Sequence, residues 1–326
     1  MARAPVAGAS ALQRGGRRTL VAIGNFDGVH LGHRAVLERA VARARAEGLV
    51  AAVLTFDPHP AVVLGRTPPA TLTPLARKVT LVQSVADDLD VVVHPFDAAF
   101  AALSPDEFAE RLLVEDLAAQ VVAVGQNFRF GKGRAGTFDT LRGLGERLGF
   151  DVWAEPLAGD ERGRWSSTRA RAGVAIGDVA DVELVLGRPY ELEGTVIHGQ
   201  HRGRTIGFPT ANLDGIGEAI PASGVYAVEV EAVSAPGAEG TRLAGGVANI
   251  GVRPTVEAGF AVEAHLFDFQ GDLYGSRLRL RLVSRLREER RFPSFPDLVA
   301  QIAVDAAAAR AVLGARGAVD AARTSG

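Results

Sequence analysis

The periodicity of the chain changes character at Gly187-Arg188-Pro189, and that change limits the folds open to it. Upstream, apolar runs at 19–23, 50–54, 90–94 and 120–125 alternate with segments whose apolar residues recur at helical spacing. That is the pattern of a parallel sheet with crossover helices. Downstream come strand-length runs at 191–197, 224–233, 242–250, 260–269 and 277–284, in which apolar and polar residues alternate as in strands with one buried face. Leu278, Leu280 and Leu282 alternate with Arg277, Arg279 and Arg281, which predicts a strand with a wet arginine face. Val174 to Leu186 predicts helical packing just before the break, so the boundary is placed near Leu186, separating 19–186 from 187–315. Residues 1–18, rich in Ala, Gly and Arg, are read as a disordered tail, and 316–326 as a frayed one.

At the end of the first run stands Gly24-Asn25-Phe26-Asp27-Gly28-Val29-His30-Leu31-Gly32-His33, followed by a helical pattern over 35–47. A helix N-terminus carries unpaired N–H groups and a positive dipole, so a polyphosphate can settle there, and glycines let the backbone approach it. Taken alone, two histidines at such a place could simply cap the helix. Thr55-Phe56-Asp57-Pro58-His59-Pro60 ends the second run in a rigid polar turn, and Gln126 to Gly136 follows the fourth. Trp165-Ser166-Ser167-Thr168-Arg169-Ala170-Arg171 then crowds hydroxyl and guanidinium groups at a helix start, a setting suited to phosphate oxygens. In the second half, Gly199, Gly203 and Gly207 punctuate a loop bearing Arg202 and Arg204, which ends in Phe208-Pro209-Thr210-Ala211-Asn212. Lacking a GK[ST] close, it is not a Walker A loop.

GNFDGVHLGH, TFDPHP, the Asn127-Phe128-Arg129-Phe130-Gly131 stretch and SSTRAR, in this order, resemble the FMN adenylyltransferase module of bacterial bifunctional riboflavin kinase/FAD synthetases. PTAN at 209–212, Asn249-Ile250-Gly251-Val252-Arg253-Pro254-Thr255 and the Ala261 to Phe269 strand resemble the riboflavin kinase module of the same family. The resemblance implies an α/β nucleotidyltransferase-like N-terminal domain with a Rossmann-like parallel sheet. It further implies a six-stranded antiparallel β-barrel with a terminal helix over Phe295 to Leu313. Implied phosphate contacts are Gly24, Phe26, Asp27, Gly28, Gly32, Ser167, Thr168, Arg169 and Arg171, with His30 and His33 acting on the transferring phosphate. Phe56, Pro58, Asn127 and Arg129 would border the flavin and adenine pockets. In the second module Gly203, Gly207, Thr210 and Asn212 would bind ATP, Thr210 and Asn212 also magnesium, and Glu263 would be the base. Arg287 to Phe292 resembles the family's charged segment beside the flavin. One departure is Thr137, where family members often carry an acid.

The implied activity is phosphorylation of riboflavin to FMN, then adenylylation of FMN to FAD. Two other readings are a riboflavin kinase with a silent N-terminal module and a non-catalytic flavin or nucleotide sensor. Either would be expected to lose the histidines or Glu263, and all three are present. Composition agrees with a two-domain enzyme: 326 residues, 47% hydrophobic, with a net charge of −2 that argues against a nucleic-acid binder. No cysteine is available for disulfides or thiolate chemistry, and the seven histidines form no dense ligand cluster. No apolar run nears the roughly 20 residues of a membrane span. The expected partners are ATP, riboflavin and FMN in the cytoplasm, with self-association no more than weak or transient.

Overall fold

The computed structural model describes residues 6–7, 17–154, 158–198, 210–252 and 260–324. It divides into two compact units, 1–69 with 75–165, and 70–74 with 166–326.

The first unit is built on a parallel sheet of β1 (Val6–Ala7), β2 (Thr19–Ile23), β3 (Val50–Asp57), β4 (Asp90–Pro95), β5 (Ala119–Val124) and β6 (Asp151–Ala154), in the spatial order β1-β4-β3-β2-β5-β6. β2 is buried along its whole length, as a central parallel strand must be when both faces are covered. Leu20 and Ala22 pack with Leu37 and Val41 of the helix Leu31–Glu47. Val21 and Ile23 pack on the opposite face with Phe108, Leu112 and Leu141. Val6 and Ala7 pair in parallel with Val92 and Val93, so part of the N-terminal tail read as disordered is an edge strand. β6 also escaped the sequence reading, because its Asp-Val-Trp-Ala run is too short to show a period. A small antiparallel hairpin, β7 (Gly159–Asp160) with β8 (Gly163–Arg164), precedes Trp165.

The second unit is a closed barrel of β9 (Tyr190–Ile197), β10 (Ala211–Asp214), β11 (Gly224–Val233), β12 (Gly240–Val252), β13 (Phe260–Leu266) and β14 (Arg277–Glu288), ordered β10-β13-β12-β11-β14-β9 with every pairing antiparallel. Leu192, Val228, Val230, Ala264, Leu278, Leu280 and Leu282 fill it and are inaccessible to water. The helix Phe295–Thr324 closes one side, setting Ala309 and Leu313 against Ala227 and Phe267. A Cβ on Gly245 would come within 2.7 Å of Leu313 Cδ1, so the helix packs closely over this strand. The helix does not end near residue 313: it runs to Thr324, and Arg316 forks onto Glu183 at 2.7 and 3.0 Å. The segment expected to fray at 316 is therefore helical and pinned by an ion pair.

The region before the break forms two helices, Ser167–Ile176 and Val179–Leu186, separated by the left-handed Gly177. Both belong by contact to the barrel unit rather than the sheet unit, so the compact division falls at Trp165/Ser166. The reason is packing: a Cβ on Gly177 would lie 2.7 Å from the Tyr226 hydroxyl, and Ala222 donates its N–H to the Val174 carbonyl.

Candidate active sites

In the sheet unit, the Gly24–His30 turn leaves β2 through an unusual backbone. Phe26, Gly28 and Val29 have positive φ, and two of them are not glycines. Such conformations cost free energy and persist where the surroundings fix them. Phe26 is buried, and a Cβ on Gly24 would touch its ring at 3.1 Å. Gly32 is hemmed in likewise, its Cβ position lying 3.1 Å from His30 Nδ1 and 3.2 Å from the Trp165 carbonyl oxygen.

His30 is the N-cap of the helix Leu31–Glu47, its Nδ1 accepting from the His33 N–H at 3.2 Å. An accepting Nδ1 means that a neutral His30 carries its proton on Nε2, as a donor. The His33 ring stacks on His30 with centroids 3.6 Å apart, and its edge meets Phe26. Burial, then His30 and Lys78, hold the His33 pKa well below the ordinary imidazole value, so His33 is neutral near pH 7. Its Nδ1 is buried without a hydrogen-bond partner, a cost that a bound group could relieve.

At the end of β3, His59 caps the turn Pro60–Val63 by accepting from Ala61 N–H at Nδ1, and its Nε2 lies 3.2 Å from the Asn25 amide. Phe56 is half-buried in an aromatic group with His94, Phe96 and Phe100, while Asp57 and Pro58 are exposed. Asn127 and Arg129 are also exposed, and Arg129 donates to the Phe128 carbonyl. Phe130 lies in the core beside Phe108, as expected of a packing residue. Thr137 caps the helix Phe138–Leu148 by accepting from Thr140 N–H, so a structural task occupies the position where an acid was looked for. Sequence reasoning missed Lys78 on the helix Leu75–Gln83, which donates to the Asn25 carbonyl and the Thr55 hydroxyl at 3.1 and 3.2 Å. No motif signals it.

In the barrel unit, Ser166 caps the helix that opens with Ser167 and Thr168. Arg169, expected on phosphate, is bound by Asp181 through a two-point bond of 2.6 and 2.9 Å in a mostly buried setting. Its reading as a phosphate contact therefore has to accommodate the Asp181 carboxylate beside it. Arg171 Nε donates to the Ala70 carbonyl at 2.7 Å.

Barrel register brings the kinase candidates together. Asn212 on β10 is the direct cross-strand partner of Glu263 on β13, which is in turn the direct partner of Asn249 on β12. Directly opposed residues share a face, with Cβ atoms about 5 Å apart, so this row sets one carboxylate between two amides. Val262, Ala264 and Leu266 are buried on the other face, as the alternation predicts. Thr210 immediately precedes β10 and is half-buried. Gly203 and Gly207, with the rest of 199–209 and Arg253 to Thr255, lie outside the described residues. Arg287 chelates Asp305 on the terminal helix, and Arg287 and Arg290 lie over the Phe292 ring at 5.6 and 5.0 Å. No cluster of three acidic or histidine side chains that could hold a metal occurs among the described residues.

A strained, glycine-bearing turn at the end of a parallel-sheet strand, and a carboxylate flanked by amides on a closed barrel, are features that suit a two-module transferase. Residues 13–169 match the family described as FAD synthetase, and residues 186–313 match riboflavin kinase. The bifunctional riboflavin kinase/FMN adenylyltransferase of Escherichia coli K12 is 41% identical over 298 residues, covering 90% of this chain and 93% of that protein. Its namesake from Haemophilus influenzae is 40% identical over 291 residues, covering 89% and 92%. A crystal structure titled macrolide-efflux protein, from Streptococcus pneumoniae, superposes with a TM-score of 0.80 at 29% identity, covering 94% of this chain and 97% of that one. The chain belongs to the family of bifunctional riboflavin kinase/FMN adenylyltransferases, an enzyme of FAD biosynthesis with one module for each step.

The efflux title is a property of the other protein. Among the described residues here, one helix, Phe295–Ala318, is long and apolar enough to cross a membrane. Much of its apolar character comes from alanine, and Asp305, Arg310 and Arg316 tie it to Arg287, Asp268 and Glu183 of its own unit.

Proposed function

We propose that the two half-reactions run on the residues just described. In the barrel, Glu263 accepts the proton of the riboflavin 5′-hydroxyl as that oxygen attacks the γ-phosphorus of ATP. The bond to the β,γ-bridging oxygen breaks, and ADP leaves. Thr210 and Asn212 offer neutral oxygens, which suit a magnesium ion that takes its remaining ligands from phosphate and water. That ion would neutralise charge on the phosphates; positioning falls to the protein, the larger part of phosphoryl-transfer catalysis. The in-register pairing of Asn212 with Glu263 carries this reading, because it joins a proposed metal ligand and the proposed base across 51 residues of sequence.

In the sheet unit, the FMN phosphate attacks the α-phosphorus of ATP in line, and pyrophosphate leaves. The Nε2–H of His30 and the neutral His33 ring donate to the oxygens where charge develops, and the N–H groups of the turn at Gly28 and Gly32 cradle the chain of phosphates. Ser167, Thr168, Arg169 and Arg171 remain proposed phosphate contacts, Phe56, Pro58, Asn127 and Arg129 proposed flavin and adenine contacts, and the cytoplasm the proposed location.

The test is to assay each half-reaction with its own supplied substrate. Glu263→Gln should slow riboflavin phosphorylation by about 10³-fold, within the range for loss of a general base, and leave FMN adenylylation intact. Full kinase activity in this variant would remove Glu263 from the mechanism.

A further inference from the structure

We propose that Lys78 is a positioning residue of the adenylyl-transfer site: its ammonium group fastens the Gly24–His30 turn to the end of β3 and keeps a fixed positive charge beside the two stacked histidines. Its Nζ donates to the Asn25 carbonyl oxygen at 3.1 Å and to the Thr55 hydroxyl at 3.2 Å. Thr55 in turn donates to the same carbonyl at 3.3 Å, closing a three-membered set of contacts between β3, the turn and the helix Leu75–Gln83. Asn25 lies within a turn whose Phe26, Gly28 and Val29 are all at positive φ, so an anchor on its carbonyl is what keeps that geometry from relaxing.

The charge is also placed with purpose. Burial pulls the Lys78 pKa down, while Asp27 and Asp57 pull it back up, so the ammonium stays charged near neutrality. The charged or titratable groups around the pair are His30 and Asp27 on the turn, Asp57 on β3 and Lys78 on its helix. Lys78 and His30 both oppose protonation of His33, after burial. A neutral His33 stacked at 3.6 Å leaves His30 in its N-capping tautomer, with the proton on Nε2.

This rests on the reading of His30 and His33 as the adenylyl-transfer groups, so the experiment includes His33→Ala. Lys78→Met and Lys78→Arg are compared with the parent chain for FMN adenylylation, for riboflavin phosphorylation, and for the His33 ring titration by ¹⁵N–¹H NMR. Lys78→Met should lose about 100-fold in kcat/KM for adenylylation, comparable to loss of one well-placed donor. Its His33 midpoint should rise, since a like charge nearby has gone. Phosphorylation, carried by the other module, should be unchanged and reports that the chain has folded. Lys78→Arg should keep the parent midpoint and recover most of the activity. A parental midpoint in Lys78→Met, or an adenylylation rate equal to the parent's, overturns the role of Lys78. Undiminished adenylylation in His33→Ala overturns the underlying reading instead.

Discussion

The His30 ring serves as helix cap through Nδ1 and as donor through Nε2, and substitution can separate the two uses. Asparagine is as good a cap, so His30→Asn should hold the thermal midpoint of the chain while lowering FMN adenylylation about 100-fold. His30→Ala should lose the same activity and also about 1 kcal/mol of stability. A second residue, Glu218, is buried with Oε2 unpartnered, and its pKa is raised to about 7, chiefly by burial and then by Glu193 and Glu191. A raised folded-state pKa stabilises most below the unfolded value near 4.5, and the benefit fades as pH climbs through about 7. Glu218→Gln should therefore stabilise the protein at pH 8, by at most about 3 kcal/mol, and make no difference below pH ~4.5. Urea unfolding at the two pH values checks both statements. At this scale the sequence speaks unevenly. The histidines announce themselves because two imidazoles around a glycine at a strand end are uncommon, whereas Lys78 and Glu218 look like ordinary solvated residues until the fold supplies an Asn25 carbonyl or two glutamates as neighbours.

Among the elements, β14 is instructive. Its alternation assigns the leucines to the barrel interior correctly, yet the arginine face is not wet throughout. Arg279 has no exposed surface and reaches Glu193 at 2.9 Å, Glu231 at 3.3 Å and the Ala238 carbonyl at 2.7 Å, beneath the hairpin between β11 and β12. A period of two reports which side of a sheet a residue takes, and nothing about what later folds over that side. Removing one member strands buried carboxylates, so Arg279→Met should cost about 3 kcal/mol or more. Arg277, with 31% of its side chain exposed, should cost under about 1 kcal/mol when changed to Met. Equal losses in chemical denaturation would deny the buried network its role. The kinase row behaves differently: Asn212, Glu263 and Asn249 could be nominated from motifs, but only antiparallel register aligns them on one face.

For the whole molecule, the sequence conveys two modules because two periodicities meet at Gly187, and the sheet and closed barrel agree with that. It does not say which compact unit the helices just before that break join. Apolar spacing from 174 to 186 says helix without saying which core receives it, and Val182, Val185 and Leu186 are buried within the barrel unit. Nothing in the local pattern past residue 315 foretells the Arg316–Glu183 pair. The central claim is that one chain performs two consecutive transfers at chemically distinct sites. A chromatographic time course of the purified protein with riboflavin, ATP and magnesium tests it most directly. FMN should appear first and then decline as FAD accumulates, with ADP and pyrophosphate both released. FMN that accumulates without FAD, under conditions where ATP remains, would contradict it.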